Sequence, residues 1–230
     1  MMDTRNKTGS LFFRKEYGEP EHPEQSAWAV LWRVVKENWI QMIGLNVLYV
    51  LCCLPVVTIP AATAAMHRVL LNWVRDRHQS LWSAFFTEFR EHFLAKTGVG
   101  LPLLLVPVSL PFYPLMMQSR GGAVAVFVLT AILYFCVSSY FYPLVVLLDV
   151  PVWSNLKNAF AMAVAEWRTT LLMLLTAGVI DALLFLLTAY AAPLFVLFLF
   201  AFNSLLCCAF FQAPFRKYFE TQPDGAPEEA

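Results

Sequence analysis

Residues 169–190 read TTLLMLLTAGVIDALLFLLTAY, an apolar run of 22 residues that holds one charged side chain, Asp181. A helix needs about 20 apolar residues to cross the hydrocarbon core of a bilayer. Within lipid the backbone must satisfy its own hydrogen bonds, so such a run is predicted to be a transmembrane helix. Four further runs resemble it in length and composition, at about 39–58, 97–117, 122–148 and 192–213.

The composition agrees with a membrane protein. The chain is 59% hydrophobic and 14% charged, whereas a soluble domain averages about 25% charged residues. The formal net charge is zero, which gives no indication of nucleic-acid binding. The first run begins near residue 39, too late for a cleavable signal peptide. The helical domain is expected over residues 27–213, between a polar tail (1–26) and a disordered acidic tail (214–230).

The five cysteines all fall inside predicted spans and are expected to be buried as small apolar residues. Two adjacent pairs occur among them, a spacing that favours neither a disulfide nor a metal site. No cofactor is expected. The cysteines are Cys52, Cys53, Cys136, Cys207 and Cys208.

Charge distribution predicts a sixth crossing. If residues 60–75 also cross, 14 Lys and Arg residues share one side of the membrane and Arg120 lies on the other, with Arg68 inside the helix. The positive-inside rule then places both termini in the cytoplasm. All seven tryptophans fall at the same predicted interface, where amphipathic rings anchor.

Two similar stretches begin at Trp82-Ser83 and Trp153-Ser154. Their apolar residues recur every three or four positions, so amphipathic helices are predicted at about 80–94 and 152–167. Such helices are expected on the cytoplasmic surface. The predicted fold is all-α, with about six transmembrane helices in three hairpins linked by these two helices. An old duplication and the common pattern of membrane-surface helices both explain the similarity.

The stretch LPVVTIPAATAAMHRVL (54–70), followed by FFTEFREHF (85–93), resembles the YesL-like family of bacterial membrane proteins, and the resemblance covers about residues 28–218. Its sharpest residues are Pro55, Thr58 and Pro60, and Asn46 fills the position of an Asn that recurs before the first Pro. Family members often carry Gly-Pro after the Thr, whereas this chain has Ile59-Pro60.

The resemblance implies a protein of the bacterial cytoplasmic membrane in a family of unknown function. Its members are often encoded beside carbohydrate uptake systems. The family motif brings no catalytic residues to transfer to this chain.

Asp181 is the most informative single residue, because a charge at the bilayer centre costs about 2.5–3.5 kcal/mol and usually faces a partner or a cavity. Asn203 returns to nearly the same depth across the turn near 190–193, so the two side chains could hydrogen-bond. Arg68 also lies at that level, and we expect an Arg68–Asp181 ion pair. A substrate or proton site at Asp181, and an Asp181 that reaches water alone, are the alternatives.

The third run contains Pro102, Pro107, Pro111 and Pro114. Each proline removes a backbone donor and crowds the preceding turn, so a kinked or broken helix is predicted. Broken helices frame binding sites in transporters, although prolines are also common in membrane helices.

Two functions remain open. No HEXXH, GXSXG or P-loop pattern occurs, so an enzyme is not expected. The first hypothesis is an accessory protein of the cytoplasmic membrane, with the membrane subunits of a carbohydrate uptake system as partners. The second is a small transporter or channel that uses Asp181 and the proline-broken third helix. Homo-oligomers are compatible with either.

Overall fold

The computed structural model describes residues 25–77, 79–109 and 120–220, and it describes their side chains except for 106–109, 120–121, 123, 181–199 and 220. The fold is all-α, as the apolar runs predict. A 3-10 turn (Val56–Thr58) follows the first helix and a π turn (Arg216–Glu220) follows the last. The helices are α1 (Ala27–Cys52), α2 (Ile59–Val74), α3 (Leu81–Arg90), α4 (Phe93–Ser109), α5 (Arg120–Leu147), α6 (Val152–Ala165) and α7 (Trp167–Phe215).

α1 begins 12 residues before the apolar run at 39–58 and is interrupted just before it. The Ser26 side chain accepts a hydrogen bond from the Ala29 amide (3.3 Å) and caps the helix start. Asn38 has non-helical backbone angles (φ −119°, ψ 19°), so the helix kinks there. α1 ends at Cys52, and the chain turns through Pro55 and Thr58 into α2.

α2 is the central helix of the bundle. It contacts α1, α3, α4, α5 and α7, and most of its residues are buried, including His67 and Arg68. A helix that is buried all round needs an apolar or fully paired surface. Its 16 residues rise about 24 Å, which is shorter than a hydrocarbon core of about 30 Å.

The last helical segment doubles back on itself. A straight helix of 49 residues would be about 74 Å long. Yet Tyr140 reaches both parts of it: its hydroxyl lies 3.0 Å from that of Thr170, and its ring centroid lies 6.1 Å from that of Phe211. The chain therefore reverses direction between Thr170 and Phe211, where the sequence predicts a turn between two spans.

The start of α1 and the end of α7 lie together at one end of the bundle. Trp28 at the start of α1 makes an edge-to-face contact with Phe210 near the end of α7 (centroids 5.2 Å apart). Glu166, just before α7, binds Lys217, just after it (2.5 Å). α2 ends there too, with Arg75 over the ring of Phe215. We call this end the tryptophan end.

The two stretches that open with Trp-Ser are helical and hold equivalent places. α3 packs on α2, the helix before it, and α6 packs on α5 in the same way. Each is followed directly by a further helix, α4 or α7. The Ser80 side chain caps α3 by accepting a hydrogen bond from the Ser83 amide (3.3 Å).

Fewer helices of the structure are long and apolar enough to cross a membrane than the six crossings that the sequence predicts. Among the described residues, one helix (Val124–Leu147) is long and apolar enough to span a bilayer, and a bent pair (Val152–Ala165 and Trp167–Ile180) passes only when its two helices are taken together. The kink divides α1, and α2 has 16 residues. The predicted spans at 97–117, 169–190 and 192–213 extend into residues or side chains outside the described set.

Candidate functional site

Three charged side chains from three helices meet inside the bundle. Arg68 of α2 donates from Nη1 to Oε2 of Glu88 in α3 (3.0 Å). Lys96 of α4 donates from Nζ to Oε1 of the same carboxylate (2.5 Å) and to the Glu88 carbonyl oxygen (2.8 Å). The three side chains are at most 4% exposed. We call Arg68, Glu88 and Lys96 the charge clamp.

The clamp follows from the pattern of α3. Ala84, Phe85 and Glu88 form the buried face of this helix, because positions three and four apart share one side. Glu88 thus occupies a core position on the apolar stripe, and the stripe carries it against α2. Lys96 lies one turn into α4, where its flexible stem can reach back to α3.

The energetics of the clamp are those of a buried ion cluster. Removing charges from water costs several kcal/mol per ion, and mutual attraction offsets that cost only with good geometry. Here one carboxylate uses both oxygens on two cations. Loss of Glu88 would leave two buried cations without their shared partner, an effect of about 3–5 kcal/mol. The clamp therefore fixes α3 firmly to α2 and α4.

A second set of charges closes the tryptophan end. Arg33 of α1 pairs with Asp76 directly after α2, and it also lies 3.4 Å from the carbonyl oxygen of Val74. Asp76 has a positive φ of 57°, a left-handed conformation common at helix C-termini and tolerated by Asp. Arg75 is fully buried, with its guanidinium carbon 5.3 Å from the Phe215 ring centroid. These contacts join α1, α2 and the end of α7.

Polar side chains also pair deeper in the bundle. The fully buried Asn46 accepts a hydrogen bond from the Ala201 amide through Oδ1 (3.0 Å). The hydroxyls of Tyr49 and Thr63 lie 3.2 Å apart. His67 donates from Nδ1 to the Thr63 carbonyl oxygen (2.8 Å), since a carbonyl only accepts. The ring of His67 stacks on that of Tyr142 (5.5 Å).

The predicted site residues separate in the structure. Arg68 is buried as expected, and the partner that the structure gives it is Glu88. Asp181 lies in α7 with its side chain outside the described residues, so the Arg68–Asp181 pair stays a prediction. Asn203 is half-buried in α7, one turn beyond the residues that meet Tyr49 and Asn46.

The family motif lies at the start of α2, whereas the tryptophan end holds the end of that helix. α4 is helical through Pro102 and Pro107, while Pro111 and Pro114 lie outside the described residues. The Thr58 hydroxyl lies within hydrogen-bond distance of the carbonyl oxygens of Pro55 and Cys52.

Pro60, at the start of α2, packs directly on Gly100 of α4. A methyl group added at Gly100 would overlap the Pro60 ring. The motif residues therefore shape a turn and a close helix contact.

Sequence reasoning missed Glu88 and Lys96 as buried charges. Lys96 was counted among the cytoplasmic loop charges, and it is 2% exposed. A signal was present: Glu88 stands three residues after Phe85 and four after Ala84, which puts an acid on the apolar stripe of a predicted amphipathic helix.

The chemistry available at these clusters is electrostatic. Among the described side chains, no three His, Cys, Asp or Glu groups lie close enough together to hold a metal ion. The charge clamp couples α3 to α2 and α4, and its carboxylate is held by both cations. This arrangement suits a positioning role.

Comparison with known proteins gives one match. The family described as "Protein of unknown function, DUF624" matches residues 42–111. This range holds the second part of α1 and the whole of α2, α3 and α4, and it therefore includes all three residues of the charge clamp. No curated protein and no solved structure matches the chain.

Proposed function

We propose that this chain is a multi-pass protein of the bacterial cytoplasmic membrane and a YesL-like member of the family that matches residues 42–111. It crosses the membrane about six times, in three hairpins, with both termini in the cytoplasm. Six of its seven tryptophans are at least 49% exposed. Exposed indole rings are unfavourable in water and favourable at a membrane interface, which supports this location.

The exposed tryptophans are grouped. Trp28 and Trp167 lie at the starts of α1 and α7, at the tryptophan end. Trp82 lies on α3, which follows the end of α2, and Trp153 lies on α6, which ends there, directly before α7. In the proposed arrangement this end is the cytoplasmic interface, and α3 and α6 lie along it. Exposed apolar side chains of α5, including Leu129 (69% exposed), then face the acyl chains.

Within that membrane, we propose an accessory role for a carbohydrate uptake system, with its membrane subunits as partners. One observation carries this proposal: the charge clamp holds the inner face of α3 while its outer face stays open. Trp82 and Phe86 stack there (6.2 Å between centroids), and Trp82 is 63% exposed. A firmly held helix that presents stacked aromatic rings suits the binding of another protein. The association with carbohydrate uptake comes from the family resemblance.

The test is affinity purification from native membranes in gentle detergent or nanodiscs, followed by mass spectrometry of co-purified proteins. We expect membrane subunits of a carbohydrate uptake system in stoichiometric amounts. A Trp82→Ala/Phe86→Ala variant should lose them. The matched control is Leu129→Ala/Leu133→Ala, which removes two exposed apolar side chains from α5 and should retain the partners.

Recovery of the chain alone, or as a homo-oligomer, would overturn the accessory role. It would favour the transporter or channel that the sequence also suggests. Asp181→Asn would then be the next variant, because a transport site needs the carboxylate whereas a folded accessory protein tolerates the amide.

A further inference from the structure

α6 has two faces of opposite character. Asn155, Ala159, Met162 and Ala163 are buried against the bundle. The outer face carries Trp153, Lys157, Phe160 and Val164, and Arg168 lies exposed in the first turn of α7, just beyond the bend. The four positions in α6 are three or four residues apart and line one side of the helix. We call these four residues, together with Arg168, the α6 stripe.

The apolar members of the α6 stripe are open over the whole length of the helix. Trp153 is 59% exposed, Phe160 53% and Val164 62%. They extend over about 16 Å of helix axis. A row of this kind is unfavourable in water, so it requires an apolar or amphipathic partner.

The direction of α6 indicates which partner. α6 and the first part of α7 meet at 91°. In the proposed arrangement α7 crosses the membrane, so α6 lies parallel to the membrane plane at the tryptophan end. A helix in this position, with an apolar stripe and basic residues, sits at the boundary of headgroups and acyl chains.

The charge of the α6 stripe is positive. Lys157 and Arg168 are both exposed, and the Arg168 guanidinium lies 5.6 Å from the Trp167 ring centroid. The nearest acids in sequence are Asp149, exposed before α6, and Glu166, whose carboxylate binds Lys217 (2.5 Å) and the Tyr218 hydroxyl (3.0 Å). Glu166 is thus occupied by groups from the end of the chain.

We propose that the α6 stripe binds anionic phospholipid, with Lys157 and Arg168 on the phosphate groups and Trp153, Phe160 and Val164 at the acyl boundary. The proposal rests on the membrane location proposed above and is separate from the accessory role. Each basic side chain near the surface raises the affinity for anionic lipid about fivefold.

The test is native mass spectrometry of the full-length protein titrated with phosphatidylglycerol or with phosphatidylcholine. We expect the wild type to prefer phosphatidylglycerol. Lys157→Gln/Arg168→Gln should weaken phosphatidylglycerol binding about 25-fold and leave phosphatidylcholine binding unchanged. The charge-retaining pair Lys157→Arg/Arg168→Lys should bind as the wild type, which separates charge from folding.

A matched control removes the same net charge elsewhere. Lys36→Gln/Arg90→Gln changes two exposed basic residues on α1 and α3 and should keep the preference. Equal losses in the two Gln pairs, or equal binding of both lipids by the wild type, would overturn the proposal. Extraction of the wild type from membranes by alkaline carbonate would instead refute the membrane location, and the co-purification result bears only on the accessory role.

Discussion

The two helical units of the bundle are built alike and held differently. In the first unit, α2, α3 and α4 are joined by the charge clamp. In the second, α5, α6 and α7 are joined by neutral hydroxyls: the Thr170 hydroxyl lies 3.0 Å from that of Tyr140 and 3.1 Å from the Ala163 carbonyl oxygen. Counted from the shared Trp-Ser pair, Ala159 occupies the place in α6 that Glu88 has in α3.

Among the described side chains, α6 is held on α5 and α7 without the buried ion cluster that holds α3. The described contacts that hold α6 include a small residue, Ala159, against the bundle and the Thr170 hydroxyl bonded to its neighbours. The charge clamp is therefore a property of the first unit, and it makes one orientation of α3 strongly preferred, because a shifted α3 would separate buried charges.

The largest effect is expected from Glu88→Ala, which leaves Arg68 and Lys96 buried without their shared carboxylate. We expect a loss of about 3–5 kcal/mol in the free energy of unfolding. Thermal unfolding in detergent, with the monodisperse fraction by size-exclusion chromatography, measures it. The exposed Glu37→Ala on α1 is the control and should be close to neutral.

A variant without the three buried charges tests whether charge pairing or packing determines the first unit. In a triple variant, Arg68→Leu, Glu88→Ala and Lys96→Met remove all three charges together. Replacing a buried ion cluster by apolar groups is often neutral or stabilising by about 1–4 kcal/mol, so stability should return to near that of the wild type. A triple variant as unstable as Glu88→Ala would show that packing, and not charge pairing, determines the first unit.

A packing test concerns the contact between α2 and α4. Gly100→Ala puts a methyl group against the Pro60 ring, and we expect a loss of about 1–3 kcal/mol. Gly98→Ala is the matched control two residues away, since a methyl group there meets nothing within 4 Å. It should be neutral or stabilising by up to about 1 kcal/mol through helix propensity. Equal effects at both glycines would argue against the close contact.

The second unit should respond less than the first. Tyr140→Phe removes the hydroxyl bonded to Thr170 and keeps the ring contact with Phe211, so a loss of about 1 kcal/mol is expected. Urea unfolding of the purified protein measures the difference, with Tyr134→Phe on the same helix as control. If Tyr140→Phe lowered the free energy of unfolding as much as Glu88→Ala, the second unit would depend on one hydrogen bond as strongly as the first depends on the charge clamp.

The smallest effect concerns the pair at the ends of α7. The hydrogen bond from Lys217 lowers the pKa of Glu166, and the bond to Glu166 raises the pKa of Lys217. Because folding lowers the pKa of Glu166, its carboxylate stabilises the fold above pH 4.5, which is the pKa in the unfolded chain. This contribution is lost as the pH falls through the pKa of the folded state. A raised amine pKa stabilises below 10.5 and is lost as the pH rises through the folded value.

Between these limits Glu166→Gln should lower the melting temperature by about 1 °C, because the pair is exposed to solvent. The difference should vanish in acid and in strong base. Replicate melting curves from pH 3 to pH 11 measure it. A difference that is constant across this range would exclude the ion pair as its cause.

The sequence predicts much of this fold because apolar periodicity is a local property. The runs of apolar residues predict an all-α protein, and the stripes after Trp82 and Trp153 fall where α3 and α6 lie. The kink at Asn38 was not predicted, because the apolar run at 39–58 and the helix that precedes it merge without a proline or glycine to mark the break.

The partner of Arg68 was harder to predict, because the sequence gives the depth of a residue along its helix and does not give the direction in which its side chain points. Counting residues places Arg68 and Asp181 at one level, but it does not say toward which helix Arg68 points. Glu88 lies 20 residues away, on a helix that the sequence assigns to the surface. Only the packing of α3 on α2 brings that acid inward.

The hydrogen bond between Asn46 and Ala201 has a consequence for biosynthesis. Its two residues are 155 positions apart, and a ribosome needs about 8–30 s to add that many residues. In the proposed membrane arrangement, α1 enters the bilayer well before the Ala201 amide that binds Asn46 has been made. The contact between Asn46 and Ala201 therefore forms only after the last hairpin has been synthesised, and truncation before Ala201 would remove it.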